Sequence, residues 1–208
     1  MQIQEARDPT TPFGNQSPMQ VVEVTVGDFW RWAYSDLLAN TTRGVLAEFV
    51  VGHLINAIGT ARGPWEAHDL KTPDGITVEV KSSAYWQSWF QEKPSRISFS
   101  VSEARAWDPS TNLLADKRAR NSDVYVFSVL SSPDGSKPDP VNFDEWAFYV
   151  LPSRVVNERL GQQRTASLTT IARLAGHRVP ASELAESVRV AAGNEGSATS
   201  SPSISARP

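Results

Sequence analysis

The segment Asp123–Leu130 (DVYVFSVL) most constrains what this chain can fold into. Apart from Asp123 and Ser128 it is apolar throughout. It has the length of a strand and is rich in Val and aromatic residues, so it reads as a strand buried in the protein. Other elements are arranged around it in mixed order. Residues 20–26 (QVVEVTV) alternate as a short strand, and 27–39 follow as a helix capped by Asp28. A long helical run opens at Thr41–Thr42 and ends at Gly59; apolar residues on nearly every side predict that it is largely buried. Trp65–Lys71 and Ile76–Ser82 form a hairpin about Pro73-Asp74-Gly75. Further strands are expected at 96–101 and 145–151, with helices over 102–119, 153–160, 167–175 and 181–191. This mixture predicts an α/β fold, a central sheet flanked by helices. There is no internal repeat.

The ends do not share this patterning. Residues 1–18 and 192–208 are rich in Pro, Gly, Ser, Thr and Asn and read as disordered tails around a single domain at 19–191. The chain has no cysteine, which excludes disulfide frameworks, thiolate metal sites and a cysteine nucleophile. No apolar run approaches the roughly 18 residues of a membrane span, and no signal peptide opens the chain, so the expected location is cytoplasmic. The formal net charge is −3. It is unevenly spread: residues 81–120 hold seven Lys/Arg against four acids, and 152–180 hold five Arg against Glu158 alone. A polyanion partner suits that division, as do two solvated faces.

The candidate chemistry lies in the hairpin and the helix before it. Asp69 and Glu79 are equidistant from Asp74, so a hairpin centred there places them directly opposite each other on one face. Alternation puts Thr77, Glu79 and Lys81 on that face and Ile76, Val78 and Val80 on the other. Opposed carboxylates repel by roughly 0.2–1 kcal/mol unless something compensates. A divalent cation between them would do so, and oxygen-only ligands favour Mg²⁺ or Mn²⁺. Glu48 sits in the apolar helix with Gly44 and Gly52 one turn to either side. A buried glutamate needs a metal, a proton or an arginine, for which Arg43 and Arg62 are the candidates.

Glu48 in a helix, Asp69, and Glu79-Val80-Lys81 after a hairpin resemble the PD-(D/E)XK nuclease superfamily, whose fold is restriction-endonuclease-like. Gly44-x-x-x-Glu48 is similar to the helix pattern of its junction-resolvase and repair branches. The resemblance covers residues 41–83, and beyond them only the order of elements. The literal Pro73-Asp74 falls on the hairpin loop, where turn chemistry explains it, so Asp69 takes the place of the family aspartate. The resemblance implies a Mg²⁺-dependent DNA endonuclease of restriction, host defence or repair. Asp69 and Glu79 would hold the ion, with the Val80 carbonyl as a further ligand and Glu48 completing the shell. Lys81 would act on the attacking water or on charge developing at phosphorus. Many such enzymes are homodimers, and a chain of this size suits that.

Contacts to DNA are expected from Ser82 and Ser83, from Gln87 (some of these nucleases carry a glutamine shortly after the lysine) and from Arg43. Tyr85, Trp86 and Trp89 are candidates for stacking or for core packing. Residues 169–188 have some look of a helix–turn–helix, although helices covering the sheet explain them as well. His53 reads as a core histidine, and His68 as pointing away from the Asp69 face. The reading from a different class is an idle nuclease-fold module that binds nucleic acid or a protein; a third is a structural ion-pair cluster.

Overall fold

The computed structural model describes residues 7–11, 24–58, 67–108 and 111–193. Most of both expected tails, the strand residues before 24, and Arg62, Trp65 and Glu66 lie outside them. The architecture is α/β, with a mixed four-stranded sheet flanked by helices.

The sheet is built from β1 (Leu70–Lys71), β2 (Thr77–Ala84), β6 (Val124–Leu130) and β7 (Trp146–Pro152), in that spatial order. β1 and β7 run antiparallel to their neighbours, while β2 and β6 are parallel. Every residue of β6 is buried, as its apolar run predicts for a strand with both faces covered. Alternation then divides the core in two. Val78, Val80, Val124, Val126, Trp146 and Phe148 face one layer, and Tyr125, Phe127, Val129 and Leu151 face the other.

Helix α2 (Asn40–Leu54) covers the first face through Ala47, Val50 and Val51, and α5 (Leu184–Ala191) through Leu184 and Val188. The second face is covered by α3 (Ser153–Leu160), by α4 (Leu168–Ala175), and by the pair β3 (Ser98–Ser100) and β8 (Thr165–Ser167). Since α4 and α5 pack on opposite faces, the turn at Gly176 carries the chain around the β7 edge and does not build a helix–turn–helix.

Several expectations are corrected. Residues 102–119 form no helix among those described. Ala104 bridges Ala119, and β4 (Trp107–Asp108) pairs with β5 (Leu113–Leu114). The charges there face solvent from extended backbone, so they carry no helical stripe to bury. Helix α1 (Val26–Tyr34) begins inside the expected first strand. Its cap is Thr25, whose hydroxyl accepts from the Asp28 amide while the Asp28 carboxylate accepts from Thr25, a reciprocal capping box. Pro9 and Thr11, assigned to the disordered tail, accept the Gly27 and Val26 amides on their carbonyls and so tie down the entry to α1. Helix α2 is one-sided: Phe49 and Val45 are exposed while Val50 and Val51 are buried. Among the described residues no helix is long and apolar enough to cross a membrane.

Candidate active site

The hairpin loop forms where expected, but among the described residues the first strand is only Leu70–Lys71, with 67–69 irregular, and the second runs Thr77–Ala84. Leu70 pairs with Val78 and Lys71 with Thr77, and Thr72 donates its amide to Ile76. Gly75 takes φ +90°, the left-handed conformation that closes the loop at no steric cost. The ladder ends at Leu70–Val78, and beyond it the Asp69 amide donates to the Val78 carbonyl. Asp69 precedes β1, and its Oδ2 accepts the Val80 amide at 2.8 Å. Because β1 is two residues long, the β2 edge beyond it is unpaired by strand, and the Asp69 side chain caps it instead of a backbone carbonyl.

Glu79 is the centre of the arrangement. Its Oε1 contacts the Lys81 ammonium, two residues along on the same face, and its Oε2 accepts from the Ser122 hydroxyl at 3.3 Å. Burial raises its pKa above the ordinary glutamate value of 4.5. The Lys81 charge opposes that rise, and the neighbouring Asp69 carboxylate adds to it. Tyr125, the partner of Glu79 across β2 and β6, has its phenol pushed up by burial and then by the Glu79 charge.

Asp69, Glu79 and Tyr125 open into a cleft of about 260 Å³, bordered also by His68, Trp107 and Arg120. His68 thus faces the same cleft as Asp69. The alternation that would turn it away applies within a strand, and His68 lies before β1. Arg120 is nearly fully buried beneath the cleft and is held by the Val101 and Gly161 carbonyls and by Asn157 Oδ1.

The other expected site residues are distributed as follows. Glu48 is half-buried on α2, which packs against the sheet face opposite Glu79 and Lys81. It shares a helical stripe with Gly44 and Gly52, and Gly52 points at Leu70 of β1: a Cβ there would lie 3.1 Å from Leu70 Cδ2. The stripe is therefore directed at the β1 edge. Among the described residues no three His, Asp or Glu side chains converge as a metal cage. The structure brings Asp69, Glu79 and Lys81 together and places Glu48 on α2, across the sheet from Glu79 and Lys81.

The expected DNA contacts are largely corrected. Arg43 is 4% exposed and Gln87 is 7% exposed. Arg43 Nη1 donates to Gln87 Oε1 at 2.7 Å and to the Leu38 carbonyl at 3.0 Å. Gln87 Nε2 donates to the Ala84 carbonyl. The pair locks the start of α2 to the end of β2, away from any surface that a phosphate reaches. The Ser82 hydroxyl is also buried, on the Val80 side of the strand, whereas Ser83 lies on the Lys81 side and is half-buried. Trp86 donates its N–H to the Gly135 carbonyl, Tyr85 packs on the second core, and Trp89 is exposed. His53 is exposed and stacked on Phe49, not in the core.

Sequence reasoning does not single out Ser122, Tyr125 or Arg120 as part of this site. Their placement depends on the β2–β6 register and on the path of residues 102–121, which local patterning does not encode. Neither a family model nor a curated protein matches the chain.

Proposed function

We propose that this protein is a Mg²⁺-dependent DNA endonuclease of the PD-(D/E)XK type, hydrolysing phosphodiester bonds at the Asp69–Glu79–Lys81 cluster in restriction, defence or repair. One observation carries the reading: two neighbouring carboxylates beside the hairpin, with a lysine on the carboxylate that burial disfavours, at an open cleft. The donor set is all oxygen, which fits Mg²⁺ or Mn²⁺. Asp69 and Glu79 would hold the ion, with Glu48 approaching from α2 and the Val80 carbonyl beside them. A bound Mg²⁺ supplies Lewis-acid polarisation of the phosphate and lowers the pKa of a coordinated water. The chain's own part is preparation. The Val80 amide fixes the Asp69 carboxylate and the Ser122 hydroxyl orients Glu79. The Lys81 ammonium, already in the site, offers positive charge to the attacking water or to the phosphoryl oxygens.

The test is nicking of supercoiled plasmid and cleavage of a single-stranded oligonucleotide in EDTA, Mg²⁺ and Mn²⁺, with Lys81→Ala alongside. Metal-dependent cleavage that disappears in the variant is the expected result. Cleavage that survives it places the activity elsewhere.

A second reading, a non-catalytic module that binds nucleic acid or a protein, has one observation in its favour. Asp69 and Glu79 already bond to protein donors, and no third acid joins them among the described residues. Binding of DNA without hydrolysis in any metal would establish it.

A further inference from the structure

The two basic stretches of the sequence, 81–120 and 152–180, meet in the fold. β3 pairs with β8, so Ser98–Ser100 runs beside Thr165–Ser167. Just beyond that pair the Val101 amide and the Ser102 hydroxyl donate to the Arg164 carbonyl. Arg120 reaches across from the other stretch to the Gly161 carbonyl. Between them lies a polar cleft of about 460 Å³ lined by Arg118, Arg120, Arg164, Gln162, Gln163 and Glu103. Ser102 and Arg120 border this cleft and also the one that holds Asp69 and Glu79.

Among the described residues, the one carboxylate within ion-pair distance of these cations is Glu103, 3.9 Å from Arg120. Arg118 donates to the Glu103 backbone carbonyl, not to an acid side chain. Arg164 is exposed and lines the cleft. Arg120, its side chain 1% exposed, is satisfied by three neutral oxygens, and the Glu103 carboxylate is 3.9 Å away. Arg105 lines the neighbouring cleft and is held by the Asp116 carbonyl. Among the described residues that line the polar cleft, three arginines stand against one acid, Glu103. In a chain of net charge −3 this is a local excess of positive charge on donors suited to bidentate phosphate contact.

We propose that the Arg118–Arg120–Arg164 cleft binds the phosphate backbone of a polynucleotide, holding phosphates next to the one presented to Asp69 and Glu79. The identity of the adjoining cleft rests on the nuclease reading above; the cleft's own anion chemistry does not. Arg120 is the fixed element, buried and anchored between the two clefts, while Arg118 and Arg164 close on the strand from the rim. Backbone contacts of this kind position a strand without reading its sequence.

The test measures binding of fluorescein-labelled single-stranded and duplex DNA oligonucleotides to the full chain in EDTA, where hydrolysis is silent, as a function of salt. Arg118→Gln and Arg164→Gln each remove one exposed donor set and leave the Arg120 anchor in place. The control, Arg189→Gln, makes the same charge change on α5 at the opposite sheet face. Each cleft variant is expected to weaken binding several-fold and to reduce the slope of log K against log salt by about one per arginine. The control is expected to change neither. Equal effects from all three variants would mean general charge and would overturn the cleft, as would wild-type protein that binds neither DNA. Loss confined to a polyglutamate probe, with DNA binding intact, would assign the cleft to an acidic protein and overturn it also. The two readings fail separately: cleavage lost in Lys81→Ala but binding unaffected by the arginine variants keeps the nuclease and removes the cleft, and the reverse pattern keeps the cleft and removes the nuclease.

Discussion

Lys81→Met removes the ammonium from Glu79 while keeping the aliphatic stem, and its effect on stability should depend on pH in a defined way. Lys81 and Glu79 side chains are 26% and 21% exposed, so the pair lies between a surface ion pair, worth roughly 0.2–1 kcal/mol, and a buried one, whose breaking costs about 3–5 kcal/mol. A coupling of about 1–3 kcal/mol follows from that interpolation. Its sign with pH comes from Glu79. Its pKa is raised in the folded state, chiefly by burial, so between the unfolded value and the folded one the native protein holds a proton that the unfolded chain has released. Stability therefore falls as pH rises through that window. Removing Lys81 withdraws the main opposing influence and leaves the Asp69 repulsion, so the window extends upward. Urea unfolding should show Lys81→Met close to wild type near pH 4, where Glu79 is protonated, and less stable by the full coupling near pH 8. In a Glu79→Gln background the pH-dependent part should vanish. A penalty that is flat with pH, or a pH dependence that persists in the Glu79→Gln background, would refute the pairing and with it the electrostatic account of the site.

Two further perturbations probe what holds the site in place. Gly44→Ala adds a Cβ that meets nothing within 4 Å and should stabilise α2 by about 0.4–1 kcal/mol, while Gly52→Ala places a Cβ 2.7 Å from Ile58 Cδ1 and 3.1 Å from Leu70 Cδ2 and should forfeit that gain; thermal unfolding of the two compared with wild type decides it. Arg43→Met removes the Gln87 bond and leaves that amide oxygen buried without a donor, so a loss of about 1–3 kcal/mol in urea unfolding is expected, with little change in the salt dependence of DNA binding.

What can be read from the sequence is local. Pro73-Asp74-Gly75 marks the hairpin, with Gly75 at positive φ, and that centre gives the Leu70–Val78 and Lys71–Thr77 pairs. Strand β6 declares itself because a strand covered on both faces must be apolar at nearly every position. Local reasoning fails where a residue's environment depends on distant chain. Arg43 and Gln87 look like surface donors because Arg and Gln usually are. Their burial follows from meeting each other across 44 positions, and no pattern within either segment announces it. Residues 102–119 look helical from their spacing of charges, yet they are drawn into bridges and short strands beside β3 and β8, and the charged side chains serve the cleft rim instead of a helix face.

The placement of cost within the molecule supports a chemical role for the hairpin. A sheet face beside Tyr125 and Phe127 would be most stable with apolar neighbours, and replacing a partly buried ion pair by packed apolar side chains is often neutral or favourable. This chain instead sets a carboxylate at Glu79 against Tyr125, opposes it with Asp69, and offsets both only in part with Lys81. Lys81 and Ser122 already engage both oxygens of Glu79. Asp69 accepts the Val80 amide there while raising the pKa of its neighbour. This repulsion coincides with an open cleft bordered by a buried arginine. A divalent ion of the kind proposed above would relieve that repulsion by adding positive charge between the two acids.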